Sequence, residues 1–131
     1  MRLSAADRLD IAELLARADN AATRRDAASY VALFGDDAIL DGDKGEHRGR
    51  QALAQAVGPV WASERPGSVH LTLNAVITED PRDPDHAVAT STLLIVDPGP
   101  PPALAGVSAI TQHLARTPHG WRIARRTVGR P

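Results

Sequence analysis

Cysteine is absent from this chain. Disulfides, thiolate nucleophiles and thiolate metal sites are thereby excluded. Aromatic residues are scarce too. Trp61, Trp121, Tyr30 and Phe34 are the whole set, so a core must come mainly from Leu, Val, Ile and Ala. Lysine is represented by Lys44 alone; every other basic residue is an arginine. Charge of one sign is also lacking. Fifteen basic residues against 16 acidic ones leave a formal net charge of -1, which exerts no overall pull on nucleic acid or anionic lipid. A basic cluster at Arg122, Arg125, Arg126 and Arg130 reads as an exposed strand face pairing with carboxylates. No segment approaches the roughly 20 apolar residues that span a bilayer. The stretch from Met1 to Asp7 has no long apolar run of the signal-peptide kind, so a cytoplasmic location is the expectation.

What is present fits one compact domain over residues 1–131. That length supports a real core and is too short for two domains. The hydrophobic fraction of 43% and the charged fraction of 24% are ordinary for a globular protein.

Ser4-x-x-Asp7 reads as a capping box opening a helix. Apolar residues then recur at helical spacing through Leu9, Ile11, Leu14, Leu15, Ala18, Ala21 and Ala22. The stripe tapers from Leu to Ala, which leaves room for a bulky neighbour or a cavity beside its C-terminal half. Arg24-Arg25-Asp26 ends the helix. Asp26 caps a second, short one through Tyr30 and Phe34, stopped by Gly35. Ala38 to Asp41 is a short strand, turned at Gly42 to Gly45 into a small hairpin. A third helix runs from Gln51 to about Val57, where Gly58-Pro59 loosens its end.

Beyond Arg65-Pro66-Gly67 the period changes to two. In Val69 to Glu79, alternation puts His70, Thr72 and Asn74 on one face and Leu71, Leu73, Ala75 and Ile77 on the other. Strands follow at Ala87 to Val96, Leu104 to Arg116 and Trp121 to Val128, separated by proline- or glycine-bearing turns. The expectation is an α+β domain in which a cone-shaped, curved antiparallel sheet carries N-terminal helices on its concave face and encloses a pocket.

This order, and a series of short stretches, resembles the SnoaL-like branch of the nuclear-transport-factor-2-like superfamily. The stretches are Asp7-Arg8-Leu9-x-Ile11 with Leu14-Leu15-Ala16-Arg17, Arg25-Asp26 before Tyr30-Val31-Ala32-Leu33-Phe34, Asp36-Asp37-Ala38, His47-Arg48-Gly49-Arg50, His70-x-x-x-Asn74 and Gly120-Trp121-Arg122-Ile123. They cover nearly the whole chain in order. The branch includes polyketide cyclases, scytalone dehydratase, ketosteroid isomerase and a dehydrochlorinase. The resemblance implies a cofactor-free lyase, isomerase or cyclase acting on a hydrophobic, polyketide- or terpenoid-like small molecule, and a homodimer. Fold alone does not fix function. The alternative is a domain that binds a ligand or dimerises without catalysis.

His70 is the first candidate for acid/base chemistry, since imidazole titrates near working pH. In the dehydratase-like and dehydrochlorinase-like relatives, a histidine at this place is the general base, oriented by an aspartate from the first helix. Here that slot holds Ala22-Thr23, and the tyrosine found near Ala18 in isomerase-like members is also missing. Asp19, one helical turn before Thr23, and Asp41, near the isomerases' proton-shuttling aspartate, are the carboxylates that can stand in. With Asp41, a register one residue off would place Gly42 at that position. Asn74, Thr90 and Thr111 are candidates to position a carbonyl or hydroxyl. His113 is a candidate for the pocket or an interface, and Trp61 for the cavity wall. The five histidines show no metal-ligand spacing, so no metal is assigned. No nucleotide-binding or serine-hydrolase motif occurs, so no cofactor is expected.

Overall fold

A computed structural model describes residues 3–131. Met1 and Arg2, part of the stretch read as lacking a signal peptide, lie outside the described residues. The elements run α1 (Ala5–Thr23), α2 (Ala27–Val31), β1 (Phe34–Gly42), β2 (Gly45–Arg48), α3 (Arg50–Ala62), β3 (Val69–Asp80), β4 (Asp83–Asp97), β5 (Ala103–Thr117) and β6 (Gly120–Gly129). One six-stranded sheet has the order β2-β1-β6-β5-β4-β3. The last four strands form the expected antiparallel meander. The sheet as a whole is mixed, because β1 pairs with β6 in parallel. The chain returns from α2 to the free edge of its own last strand, and local sequence carries no mark of that distant partner.

The start of α1 follows from its cap. Ser4 Oγ accepts from the Asp7 N–H at 3.0 Å, and Asp7 Oδ2 accepts from the Ser4 N–H at 3.0 Å. Its end is a Schellman motif. The Arg25 N–H donates to the Ala22 carbonyl and the Asp26 N–H to the Ala21 carbonyl. Arg25 takes the left-handed position, at φ 59°, that glycine usually fills. Asp26 then caps α2 through the Ser29 N–H.

Several boundaries differ from expectation; β4, expected from Ala87, already starts at Asp83. Phe34, expected in the second helix, is fully buried and opens β1, opposite Ile123 of β6. The third helix runs through Gly58-Pro59 to Ala62. That extra turn buries Trp61 edge-on against Tyr30, with ring centroids 5.1 Å apart at 88°, and Phe34 stacks on the other side of Tyr30 at 5.1 Å. Gly58, Pro59 and Val60 are exposed. The aromatic contacts offset the hydrogen bond that Pro59 removes.

The core fills the concave side of the sheet. Ile11, Leu14 and Leu15 of α1, Leu53 of α3, and Ala87, Leu114 and Ile123 of the strands are all buried. Leu9, placed on the same stripe from its spacing, is exposed. No helix among the described residues is long and apolar enough to cross a membrane.

Bulges in β3, β5 and β6 reset which side chains point inward. In β3, Asn74 and Ala75 lie opposite Ser91 alone, and Asn74 has φ 57°. In β5, Ala105 is the extra residue between Gly106 and Leu104. In β6, Ala124 has no opposite number, because His113 faces Arg125 and Leu114 faces Ile123.

Candidate functional site

A cavity of about 680 Å³ lies beyond the C-terminal half of α1, where the apolar stripe has shrunk to alanine. Ala22 lines it, as the taper of the stripe suggested. Leu40, Val57, Leu93, Ile95 and Val128 supply aliphatic wall. Trp61 and Tyr30 supply aromatic wall, and the β1–β2 turn at Asp43-Lys44-Gly45 stands at its edge.

His70 and Asp19 both line this cavity and are 6% and 7% exposed. The backbone N–H of His70 donates to Thr23 Oγ1 at 3.0 Å. The hydroxyl in the slot where the relatives carry aspartate therefore fixes the strand, not the ring. The ring has a different partner. His70 Nε2 lies 2.9 and 3.0 Å from the two carboxylate oxygens of Glu64, a three-centre contact. Glu64 is in turn 3.0 Å from Arg25 Nη2, as an ion pair rather than an aligned hydrogen bond. Arg25 Nη1 donates to the carbonyls of Ala22, Thr23 and Ser68, which anchors the guanidinium at the end of α1. With Nε2–H donated to Glu64, the neutral ring carries its free lone pair on Nδ1.

Glu64 was not singled out from the sequence. It follows the end of α3, where an acidic side chain opposes the helix dipole and where the last turn holds no basic residue. An acid in that position, six residues before a strand-opening histidine, is the signal that points to a partner elsewhere.

The remaining candidates separate by strand parity. Asp41 does not reach the cavity. Leu40 points in and Asp41 points out, where Arg125 Nη2 donates to it at 2.9 Å and to Glu46 at 2.7 Å. Gly42, one residue on, does line the cavity. Asn74 sits exposed in the β3 bulge, so its alternation with His70 and Thr72 is broken. Thr90, Thr111 and His113 are on the outer face. Their neighbours Ala89, Ile110, Gln112 and Leu114 take the inner one, fully or almost fully buried. Trp61, expected after the third helix, lies within α3 and does wall the cavity.

The basic cluster of the last strand is split by the Ala124 bulge. Arg125 faces out and pairs with carboxylates, as expected. Arg126 faces in, 5% exposed, and lines the cavity. Burial pushes the phenol of Tyr30 above its ordinary pKa. Arg126 acts in the opposite direction, and Asp19 adds to the rise. Tyr30 therefore stays protonated, as a hydroxyl, at neutral pH.

The family model described as a SnoaL-like domain matches residues 3–127. The chain belongs to the SnoaL-like family. A protein of unknown function with a cystatin-like fold from Nostoc punctiforme is 27% identical over 98% of this chain and 94% of its own, with a TM-score of 0.89. A nuclear-transport-factor-2-like protein with a cystatin-like fold from Novosphingobium aromaticivorans is 27% identical over 94% of this chain and 80% of its own, with a TM-score of 0.80. ActVI-ORFA from Streptomyces coelicolor is 15% identical over 93% of this chain and 95% of its own, with a TM-score of 0.83, and shares the fold. No curated protein matches. This SnoaL-like domain thus has the architecture the sequence resemblance implied, with a histidine–carboxylate pair whose carboxylate comes from the loop after α3.

Proposed function

We propose that this SnoaL-like domain is a cofactor-free lyase, isomerase or cyclase in which His70 is the general base. The observation that carries the reading is the Glu64–His70 contact at the wall of a cavity with a largely aliphatic lining. Glu64 holds Nε2–H and stabilises the imidazolium formed when Nδ1 takes a proton from an activated carbon. Arg25, 3.0 Å away, holds Glu64 in place. Asp19, on the helix wall, accepts a hydrogen bond from a substrate hydroxyl, and His70 Nδ1 returns the proton it took. Tyr30, protonated, donates to a developing enolate oxygen. The substrate is a hydrophobic small molecule, in keeping with the aliphatic wall.

A probe that needs only a base in an apolar setting tests this before the natural substrate is known. A nitrobenzisoxazole opens when one carbon-bound proton is removed. The wild-type protein is expected to accelerate that opening over buffer, and His70→Ala and Glu64→Gln to lose most of the acceleration. Equal rates for wild type and His70→Ala would overturn the reading. The alternative is a ligand-binding domain without turnover. One observation favours it: the Arg25–Glu64–His70 chain also ties α1, the α3–β3 loop and β3 together, which is a structural service in itself.

The partner assigned to the outer face is a second copy of the chain. Leu71, Leu73, Val76, Leu104 and Val107 are all more than 40% exposed on β3 and β5, an apolar patch that a second copy would cover. Sedimentation equilibrium should give a dimer that Val76→Glu with Val107→Glu dissociates. A monomeric wild type would refute the assignment.

A further inference from the structure

Arg126, like Asp19 on the same cavity, is a buried charge with little compensation. Its guanidinium is buried and enters no ion pair among the described residues, unlike Arg25, Arg50, Arg65, Arg116 and Arg125. Its hydrogen bonding amounts to one long contact, from Nη1 to Gln112 Oε1 at 3.4 Å. Gln112 is itself fully buried, and its Nε2 has no partner. The ring of Tyr30 lies 6.0 Å from the guanidinium carbon, a weak cation–π contact at the limit of its range. Asp19 lines the same cavity but makes no ion pair with it. A guanidinium offers five N–H donors in a planar fork. A guanidinium held in a cavity wall with a single long partner leaves most of those donors unsatisfied by the protein. The fold also places it there actively, because the Ala124 bulge turns Arg126 inward.

We infer that Arg126 is a carboxylate anchor, and that the cavity takes a compact cyclic organic acid with its acid group on Arg126 and its apolar body along Leu93, Ile95 and Val128. The planar fork matches a carboxylate through two parallel hydrogen bonds. A cavity of about 680 Å³ falls in the range of small-molecule sites. His70 on β3 and Arg126 on β6 stand three strands apart in the order β6-β5-β4-β3. That is about 14 Å along the sheet, and less across its concavity. A two-ring acid is therefore the apt probe. The inference rests on the cavity of the proposed function but not on its base.

The test measures binding, not turnover. Naphthoate and its neutral isostere naphthalene-methanol are titrated into the full chain, with Trp61 fluorescence as the readout. Wild type should bind naphthoate at least about tenfold more tightly than the neutral compound, the scale of a charge-assisted hydrogen bond. Arg126→Gln should erase that preference, and Lys44→Gln, at the cavity edge, should keep it. Equal affinities in wild type, no binding of naphthoate, or a preference surviving in Arg126→Gln would each overturn the assignment. If Arg126→Gln does not fold, Arg126→Lys retains the charge without the fork. It should bind naphthoate more weakly than wild type, and unchanged affinity there would also overturn the assignment. Absence of nitrobenzisoxazole acceleration in the wild type would overturn the proposed base and leave this binding result untouched.

Discussion

Glu64 and His70 are six residues apart and meet within 2.9 Å because the chain turns sharply between the end of α3 and the start of β3. Ser68 fixes that turn by donating through its hydroxyl and its N–H to the Arg65 carbonyl. Glu64→Gln keeps an acceptor oxygen at the same place but removes the charge that stabilises the imidazolium. Its base-catalysed rate is therefore expected to fall at least about tenfold, a part of the 10²–10⁴-fold that a general base contributes. Its unfolding midpoint should move little by comparison. A parallel loss of rate and stability, measured by kinetics and urea denaturation on the same sample, would assign the pair to structure alone.

The parts of this site that were legible in the sequence are the ones set by local chemistry. Ser4 and Asp7 form their box, Asp26 caps α2, and the leucine-to-alanine taper of α1 marks the cavity. His70 and Thr72 share a face, as alternation suggests. Legibility ends where parity or pairing depends on a distant strand. Alternation sorts Thr111 and His113 from Ile110 and Leu114 but does not say which set faces in, because both faces of β5 carry apolar residues. The bulges at Asn74 and Ala124 reset parity without a proline or glycine to announce them. Arg126 was hidden in this way among arginines that read as a solvated face. Glu64 was hidden because it belongs to a loop, where spacing rules do not apply.

Asn74 stands at φ 57°, a region that costs most L-residues roughly 1–2 kcal/mol and asparagine less. Asn74→Gly should be near neutral. Asn74→Val should lower stability by about 1–2 kcal/mol or more, since a β-branched side chain fits that region worst. The bulge also keeps Ile77 and Glu79 in register with α1, where the Ile77 carbonyl accepts from Arg8 and Glu79 accepts from the Leu3 N–H. Urea denaturation with an unchanged m-value checks the size of the effect. A stable Asn74→Val would mean that the bulge is not needed.

Arg25 presents two opposed effects. Glycine at its position would relieve the left-handed backbone by about 1 kcal/mol. The arginine side chain, however, donates to the Ala22 and Thr23 carbonyls and balances Glu64. Hydrogen bonds of a charged donor are worth about 1.5–3 kcal/mol, so the side chain should win. Arg25→Gly is expected to be destabilised by about 1 kcal/mol, with loss of base activity as Glu64 loses its partner. A stabilised Arg25→Gly in thermal or urea unfolding would reverse that ranking.

Asp7 gathers three elements at the end of the fold opposite the cavity. Arg116 donates to it through Nη1 and Nη2, Trp121 through its indole N–H at 3.2 Å, and Ser4 through its backbone N–H. The guanidinium of Arg116 stacks on the Trp121 ring at 4.5 Å and is held in place by it. These donors, Arg116 first among them, pull the Asp7 carboxyl far below the usual carboxylate range. A carboxyl depressed in the folded state binds its proton more readily when unfolded. Its contribution is therefore complete above the unfolded value of about 3.9 and is lost as pH falls through the folded one. The stability difference between wild type and Asp7→Asn should be constant from neutrality down to about pH 5 and shrink progressively below about pH 4. Denaturant unfolding of both proteins across that range decides it. A difference that stayed constant down to the lowest accessible pH would show that Asp7 acts through its hydrogen-bond geometry, which asparagine partly keeps, and not through its charge.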